Sequence, residues 1–175
     1  LQKDFGESRV IDSPLAESGI VGTCVGLAMR GYRPIAEIQF DGFVFPAFDQ
    51  IVSQVAKLHA RSSGAYRMGM VIRIPFAGGI GAIEHHSESI ESYFAHTAGL
   101  RVWSPSTAND AYWMIQEAVA SDDPIIFCEP KRRYWEKGEV DLANPAPSAE
   151  KALLRSTGRD VTIVAYGPSV HSAQR

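Results

Sequence analysis

The sequence predicts an α/β fold, a parallel sheet flanked by helices, with the start of a second α/β domain. Two observations predict it. Short apolar runs bounded by Gly or Pro recur at 34–38, 70–74, 100–103 and 124–128. Segments with helical start signals or helical periodicity lie between them, and strands alternating with helices of this length indicate a parallel sheet. The 175 residues suffice for one good-sized domain that buries its own core.

The elements follow in order. Residues 1–11 are polar, turn apolar at Val10-Ile11 and support no assignment. Asp12-Ser13-Pro14 pairs a capping residue with a proline at the first helical position, which predicts a helix over 15–30 ended by Gly31. Gly19, Gly22 and Gly26 fall on one face of it, and close packing of another backbone is the expected reason. Residues 34–38 form a short buried strand. Pro46 opens a second helix with Ile51, Val52, Val55 and Leu58 on one face. The run 70–74 is a strand followed by a Gly-rich loop over 77–82 and a polar helix over 87–96. Residues 100–103 form a strand, Ser106-Thr107 cap a helix to about Ala120, and 124–128 form another strand. Residues 1–130 thus make one domain. Charged residues and Asn144-Pro145-Ala146-Pro147 mark 131–159 as a linker, and Asp160–Gly167 (DVTIVAYG) reads as the first buried strand of a second domain, 160–175. The sequence begins at Leu1 without methionine and stops just after that run, so a fragment is expected.

Composition narrows the function classes. Hydrophobic residues make up 45% and charged residues 21%, with a formal charge of −3, which argues against a nucleic-acid surface with its basic stripe. No apolar run approaches the ~20 residues of a membrane span. Cys24 and Cys128 lie in apolar runs and are expected as buried free thiols, which suits a reducing cytosol.

Several stretches invite chemistry. The loop Gly78-Gly79-Ile80-Gly81 is no dinucleotide fingerprint, because Glu84 takes the place of the third glycine, and no Walker motif occurs. Glu84-His85-His86-Ser87-Glu88 lacks metal-ligand spacing, so no metal is assigned. A histidine between a strand-loop and a helix suits acid–base work, yet the residues alone favour a surface or structural role. Glu17 in a first helical turn is accounted for by the helix dipole, and the residues alone favour that reading. Phe40, Phe43, Phe45 and Phe48 are either core or a flat wall for a planar ring.

Longer matches decide among these. Residues 12–22 (DSPLAESGIVG), 36–51 (AEIQFDGFVFPAFDQI), 85–99 (HHSESIESYFAHTAG) and 124–132 (PIIFCEPKR) resemble the beta subunit of the thiamine-diphosphate-dependent decarboxylase component of 2-oxo acid dehydrogenase complexes. AEIQF followed by FPAFDQI leans toward the branched-chain type over the pyruvate type. The resemblance implies a transketolase-like pyrimidine-binding domain and the beginning of a C-terminal domain. It implies that an alpha subunit, joined in an α2β2 heterotetramer, holds the diphosphate through magnesium. A lipoyl acyltransferase core would accept the acyl group, and a small 2-oxo acid would be the substrate. Location would be the bacterial cytoplasm, or the mitochondrial matrix in a eukaryote.

The resemblance also assigns residues. Glu17 matches the glutamate that hydrogen-bonds a pyrimidine nitrogen of the cofactor, a task suited to apolar surroundings. Phe43 falls where the family stacks a ring on the aminopyrimidine. His86, rather than His85, matches the active-site histidine that stabilises or protonates intermediates or assists acyl transfer. A potassium ion held by backbone oxygens near Val71 and the turn before Pro124 is a further implication. The family's N-terminal strand and helix, and most of its C-terminal domain, are not in the sequence.

Overall fold

The computed structural model describes residues 1–175. Four parallel strands form one sheet in the order β1-β2-β4-β3, with β1 at Ile35–Glu37, β2 at Val71–Phe76, β3 at Arg101–Trp103 and β4 at Ile125–Pro130. Ile35 stands opposite Val71, Val71 opposite Ile125, and Arg101 opposite Ile125. The predicted α/β class is the observed one, and all four predicted strands form within two residues of their expected ends.

The sheet is covered on both faces, and the strands show why. Side chains alternate along β2 and β4, so Ile72, Ile74, Phe76, Ile126 and Cys128 join the larger core cluster. Val71, Ile125 and Phe127 point the other way, into a smaller cluster with Trp103 and Ala118. The larger cluster is closed by α2 (Glu17–Met29), the turns after β1 and α4 (Glu91–Ala95); the smaller one lies under α5 (Ala108–Ala120). Cys24 and Cys128 are free and buried, as expected, and burial raises the pKa of both thiols. Short helices α1 (Gln2–Phe5), α3 (Leu58–Arg61) and α6 (Ser169–Ala173) complete the chain. No helix is long and apolar enough to cross a membrane.

Several expected elements differ. The helix predicted over 15–30 begins at Glu17, with Ala16 as its uncapped N-cap and residues 11–14 irregular. Asp12, Ser13 and Pro14 therefore do not cap it. A capping residue acts only where its backbone leads directly into the first turn, and the chain enters that turn four residues later. No backbone packs on the glycine stripe either. A Cβ on Gly22 would meet only the Gln50 side chain at 3.6 Å, and one on Gly26 would meet nothing within 4 Å. Helix α2 faces the core through Val21, Cys24 and Ala28 instead.

Pro46 sits inside a 3-10 segment, Asp41–Ala47, rather than opening a helix, and a π-helical turn, Gln50–Val55, follows. Ile51 and Val55 reach the core; Val52 and Leu58 are half-buried. The polar helix expected over 87–96 shortens to Glu91–Ala95, preceded by a 3-10 turn at Glu84–His86. Glu88 explains the loss: its N–H goes to the Asp41 carboxylate and its carbonyl to the Ala77 N–H, so neither serves a helix. Thr107 caps α5 as predicted, accepting from the Asp110 N–H.

Residues 131–159 are largely irregular but run back along α5, where Trp113 donates to the Asp141 carbonyl and Glu117 accepts from Ser148 and the Ala149 N–H. The strand expected over 160–167 is not formed. Val161, Ile163 and Val164 are exposed. A strand with two apolar faces needs partners on its edges and cover on both sides, and no segment within 1–175 supplies them.

Candidate functional site

The C-terminal ends of β1 and β2 each lead into a turn, and the two turns meet. After β1 comes Phe40 and the 3-10 segment Asp41–Ala47; after β2 come the Gly-rich loop and the turn Glu84–His86. Gly42 lets them touch, because a Cβ there would lie 2.2 Å from the His85 carbonyl oxygen. Asp41, 1% exposed, accepts a 2.6 Å hydrogen bond from the Glu88 N–H and ties the second turn to the first.

This contact builds an aromatic cluster. His86 stacks on Phe40 with ring centroids 4.2 Å apart and planes 25° apart. Phe43 presents its ring at 87° to His86 at 5.3 Å, and His85 lies 5.9 Å from Phe43. Nδ1 of His86 is engaged by the His85 carbonyl at 2.9 Å, so Nε2 is the nitrogen left for other partners. The four phenylalanines divide: Phe40 and Phe43 face the histidines, whereas Phe45 and Phe48 pack against Tyr93, and Phe48 also against Phe94.

Glu17 is the first residue of α2, whose flank packs against the 41–47 segment. Its side chain is 6% exposed and takes no part in any hydrogen bond or ion pair within the chain. Its carboxylate oxygens are not fully buried and keep contact with solvent, and the helix N-terminus favours their charge. Phe43 and His86 are thus brought together, while Glu17 stands on the adjoining helix. Nothing in the cluster resembles a metal centre: no group of three or more His, Cys, Asp or Glu side chains is arranged around a common point.

A second polar group lies on the α5 face of the sheet. Arg73 on β2 forms a bidentate pair with Glu129 on β4 (2.6 and 3.1 Å) and reaches Glu37, its cross-strand neighbour on β1, at 2.9 Å. The Tyr134 hydroxyl donates to Glu129 at 2.6 Å. The Glu129 hydrogen bond holds the Arg73 guanidinium above its ordinary pKa; burial, then that same carboxylate, pushes the Tyr134 hydroxyl up. Both side chains border a cleft of about 890 Å³ that also touches Thr107, Phe127, Trp135 and Lys137. Glu129 is only 13% exposed, so Arg73→Met is expected to leave a poorly solvated carboxylate. A loss of about 1–3 kcal/mol follows, less than for a fully buried pair because Arg73 is a third exposed. Urea unfolding measures it, with Arg67→Met at the exposed Arg67–Asp122 pair as the near-silent comparison.

The model of the transketolase pyrimidine-binding domain matches residues 1–136. The chain belongs to this family. Its relatives include a pyruvate dehydrogenase E1 component subunit beta of Leifsonia xyli subsp. xyli, 65% identical over all of this chain and 52% of that protein. A 3-methyl-2-oxobutanoate dehydrogenase subunit beta of Mycobacterium tuberculosis is 54% identical over 99% of the chain and 50% of the relative. A 2-oxoisovalerate dehydrogenase subunit beta of Bacillus subtilis is 44% identical over 99% and 53%. The chain spans about half the length of these curated relatives. Among solved structures, "Split gene transketolase, inactive beta4 tetramer" superposes with a TM-score of 0.70 at 21% identity, covering 91% of this chain and 48% of that one, which speaks to the fold alone.

Membership in this pyrimidine-binding family implies thiamine diphosphate, and the residues present suit its pyrimidine end. The Glu17 carboxylate, without a partner in the chain, is chemically suited to a ring nitrogen, and half-buried Phe43 to an aromatic ring. Sequence reasoning missed Asp41, Gly42, Lys131 and the Arg73–Glu129 pair. Arg73 was the most visible of them, a charge inside an otherwise apolar strand run, VIRIPF.

Proposed function

We propose that this chain is the pyrimidine-binding part of the beta subunit of a 2-oxo acid dehydrogenase decarboxylase component, with residues 160–175 opening a second domain. The observation that carries the reading is Glu17: a largely buried residue whose carboxylate has no partner in the chain, on the helix that packs against the segment bearing Phe43, in a family that binds a pyrimidine. Bound thiamine diphosphate would supply an electron sink for decarboxylation of the 2-oxo acid.

The chain's own residues divide the remaining work. Glu17 would hold a proton in a hydrogen bond to the pyrimidine, an assignment consistent with its lack of any competing partner. Phe43 would give that ring an apolar wall and exclude water from it. His86, oriented by Phe40 and by its Nδ1 contact, would offer Nε2 to the reacting oxygen or to the incoming lipoyl group. An alpha subunit in an α2β2 assembly would hold magnesium and the diphosphate, and a lipoyl acyltransferase would take the acyl group; the relatives' designation as beta subunits supports a partner chain. Potassium at backbone oxygens near Val71 and Pro124 belongs to the same proposal.

For the substrate, AEIQF and FPAFDQI favour a branched-chain 2-oxo acid. The 65% identity to a protein named for pyruvate favours the second reading, pyruvate. The test is decarboxylation by the full-length chain co-expressed with its alpha partner, comparing 3-methyl-2-oxobutanoate with pyruvate. Turnover that requires both thiamine diphosphate and the alpha chain is the expected result, and the faster substrate decides between the readings. A cofactor-loaded heterotetramer inactive on both substrates would overturn the proposal.

A further inference from the structure

Lys131 has no part in the set Glu17, Phe43 and His86, yet its ammonium lies 3.8 Å from the centroid of the Phe40 ring. Its oxygen contact in the chain is the Gln39 carbonyl at 3.5 Å, a long one. The Phe40 ring is its nearest aromatic partner, with the Tyr134 ring farther off at 5.8 Å. Lys131 starts the 3-10 turn Lys131–Arg133 directly after β4, so its backbone is anchored to the sheet. Phe40 in turn stacks on His86 at 4.2 Å with the planes only 25° apart. Lysine, phenylalanine and histidine form a relay from the end of a central strand to the candidate active-site imidazole.

We propose that Lys131 is a positioning residue for His86, acting through a cation–π contact that fixes the ring of Phe40. The inference rests on the role given to His86 above. Its physical basis is the order of constraint. The imidazole is pinned at Nδ1 by the neighbouring carbonyl, which restrains one nitrogen but leaves the ring free to tilt about that contact. The face of Phe40 removes this tilt. Phe40 itself is half-buried at the edge of the core, touching Phe43 edge-on at 6.0 Å, and the ammonium restrains the ring plane. Catalytic groups tolerate little misplacement: about 1 Å can cost on the order of 10²-fold in rate. A merely structural Lys131, present for its methylene stem, would be replaced silently by methionine, which keeps the stem and loses the charge.

The experiment uses the full-length chain assembled with its alpha partner and carrying ring-labelled histidine, in wild type, Lys131→Met, Lys131→Arg, Phe40→Leu and His86→Ala forms. The signal missing from His86→Ala identifies His86, and stacking on Phe40 shifts its ring protons upfield. In Lys131→Met those protons are expected to move toward unstacked values, with kcat down about tenfold and KM for the 2-oxo acid unchanged. Lys131→Arg, which keeps the cation over the ring, restores both. Phe40→Leu repeats the Lys131→Met effects from the other end of the relay. Unchanged His86 signals and kcat in Lys131→Met, or no rescue by arginine, would overturn the proposal. Full turnover in His86→Ala would overturn the role of His86 instead, and the ring shifts would still report whether Lys131 positions it.

Discussion

Glu17→Gln in the assembled full-length enzyme is expected to lower decarboxylation by at least about 10²-fold, the scale of a lost acid–base group, while lowering stability by no more than about 1 kcal/mol. The two effects part because of what Glu17 lacks. Its side chain is 6% exposed and has no hydrogen bond or ion pair in the chain, so glutamine breaks no internal contact. The loss is confined to the interaction of a negative charge with the first turn of α2, about 0.3–1 kcal/mol. Glutamine retains size and can still donate an amide N–H to a ring nitrogen, but it has no ionisable proton to give up or take back. Turnover and thermal unfolding of the same preparation check the result, with assembly followed by gel filtration. Wild-type turnover would remove Glu17 from the mechanism, and unfolding of the variant would show the carboxylate to be structural.

What was legible in the sequence follows from how local each signal is. The strands at 71–76 and 125–130 announce themselves because both faces are buried, so nearly every residue is apolar. Thr107 was legible as a cap because its acceptor role spans three residues. The start of α2 was not, because Asp12-Ser13-Pro14 has the right composition and the wrong backbone path. The run 160–167 has the composition of a strand but no partner strand within the chain, and pairing is not a property of one segment. The site divides in the same way. Glu17, Phe43 and His86 were named through long matched stretches. Phe43 and His86 are indeed brought together, whereas their chemical roles and that of Glu17 rest on the proposal. Asp41 acts on a residue 47 positions away, and Lys131 reaches back 92 to Gln39. No spacing rule in a single sequence connects such pairs.

Gly42 offers the sharpest test of how the site is assembled. Alanine there would place its Cβ 2.2 Å from the His85 carbonyl oxygen and 2.6 Å from two atoms of the His85 ring. The ring could swing away, but the carbonyl belongs to the backbone of the 84–86 turn, and that turn is held by the Asp41 carboxylate on the Glu88 N–H. Neither side can yield without separating the two turns. Gly42→Ala is therefore expected to cost about 1–3 kcal/mol, as overpacking does. It is also expected to lower turnover by on the order of 10²-fold, because His86 moves with the turn. Gly26→Ala is the counterpart. It lies inside α2 with nothing within 4 Å of its added Cβ, so the gain in helix propensity should stabilise the protein by up to about 1 kcal/mol with activity unchanged. Thermal unfolding and turnover of the two variants side by side separate a glycine required by contact from one that is not. If Gly42→Ala matched wild type in both, the two turns would have to be loosely apposed. The stacking of His86 on Phe40 would then need a cause other than the fit between them.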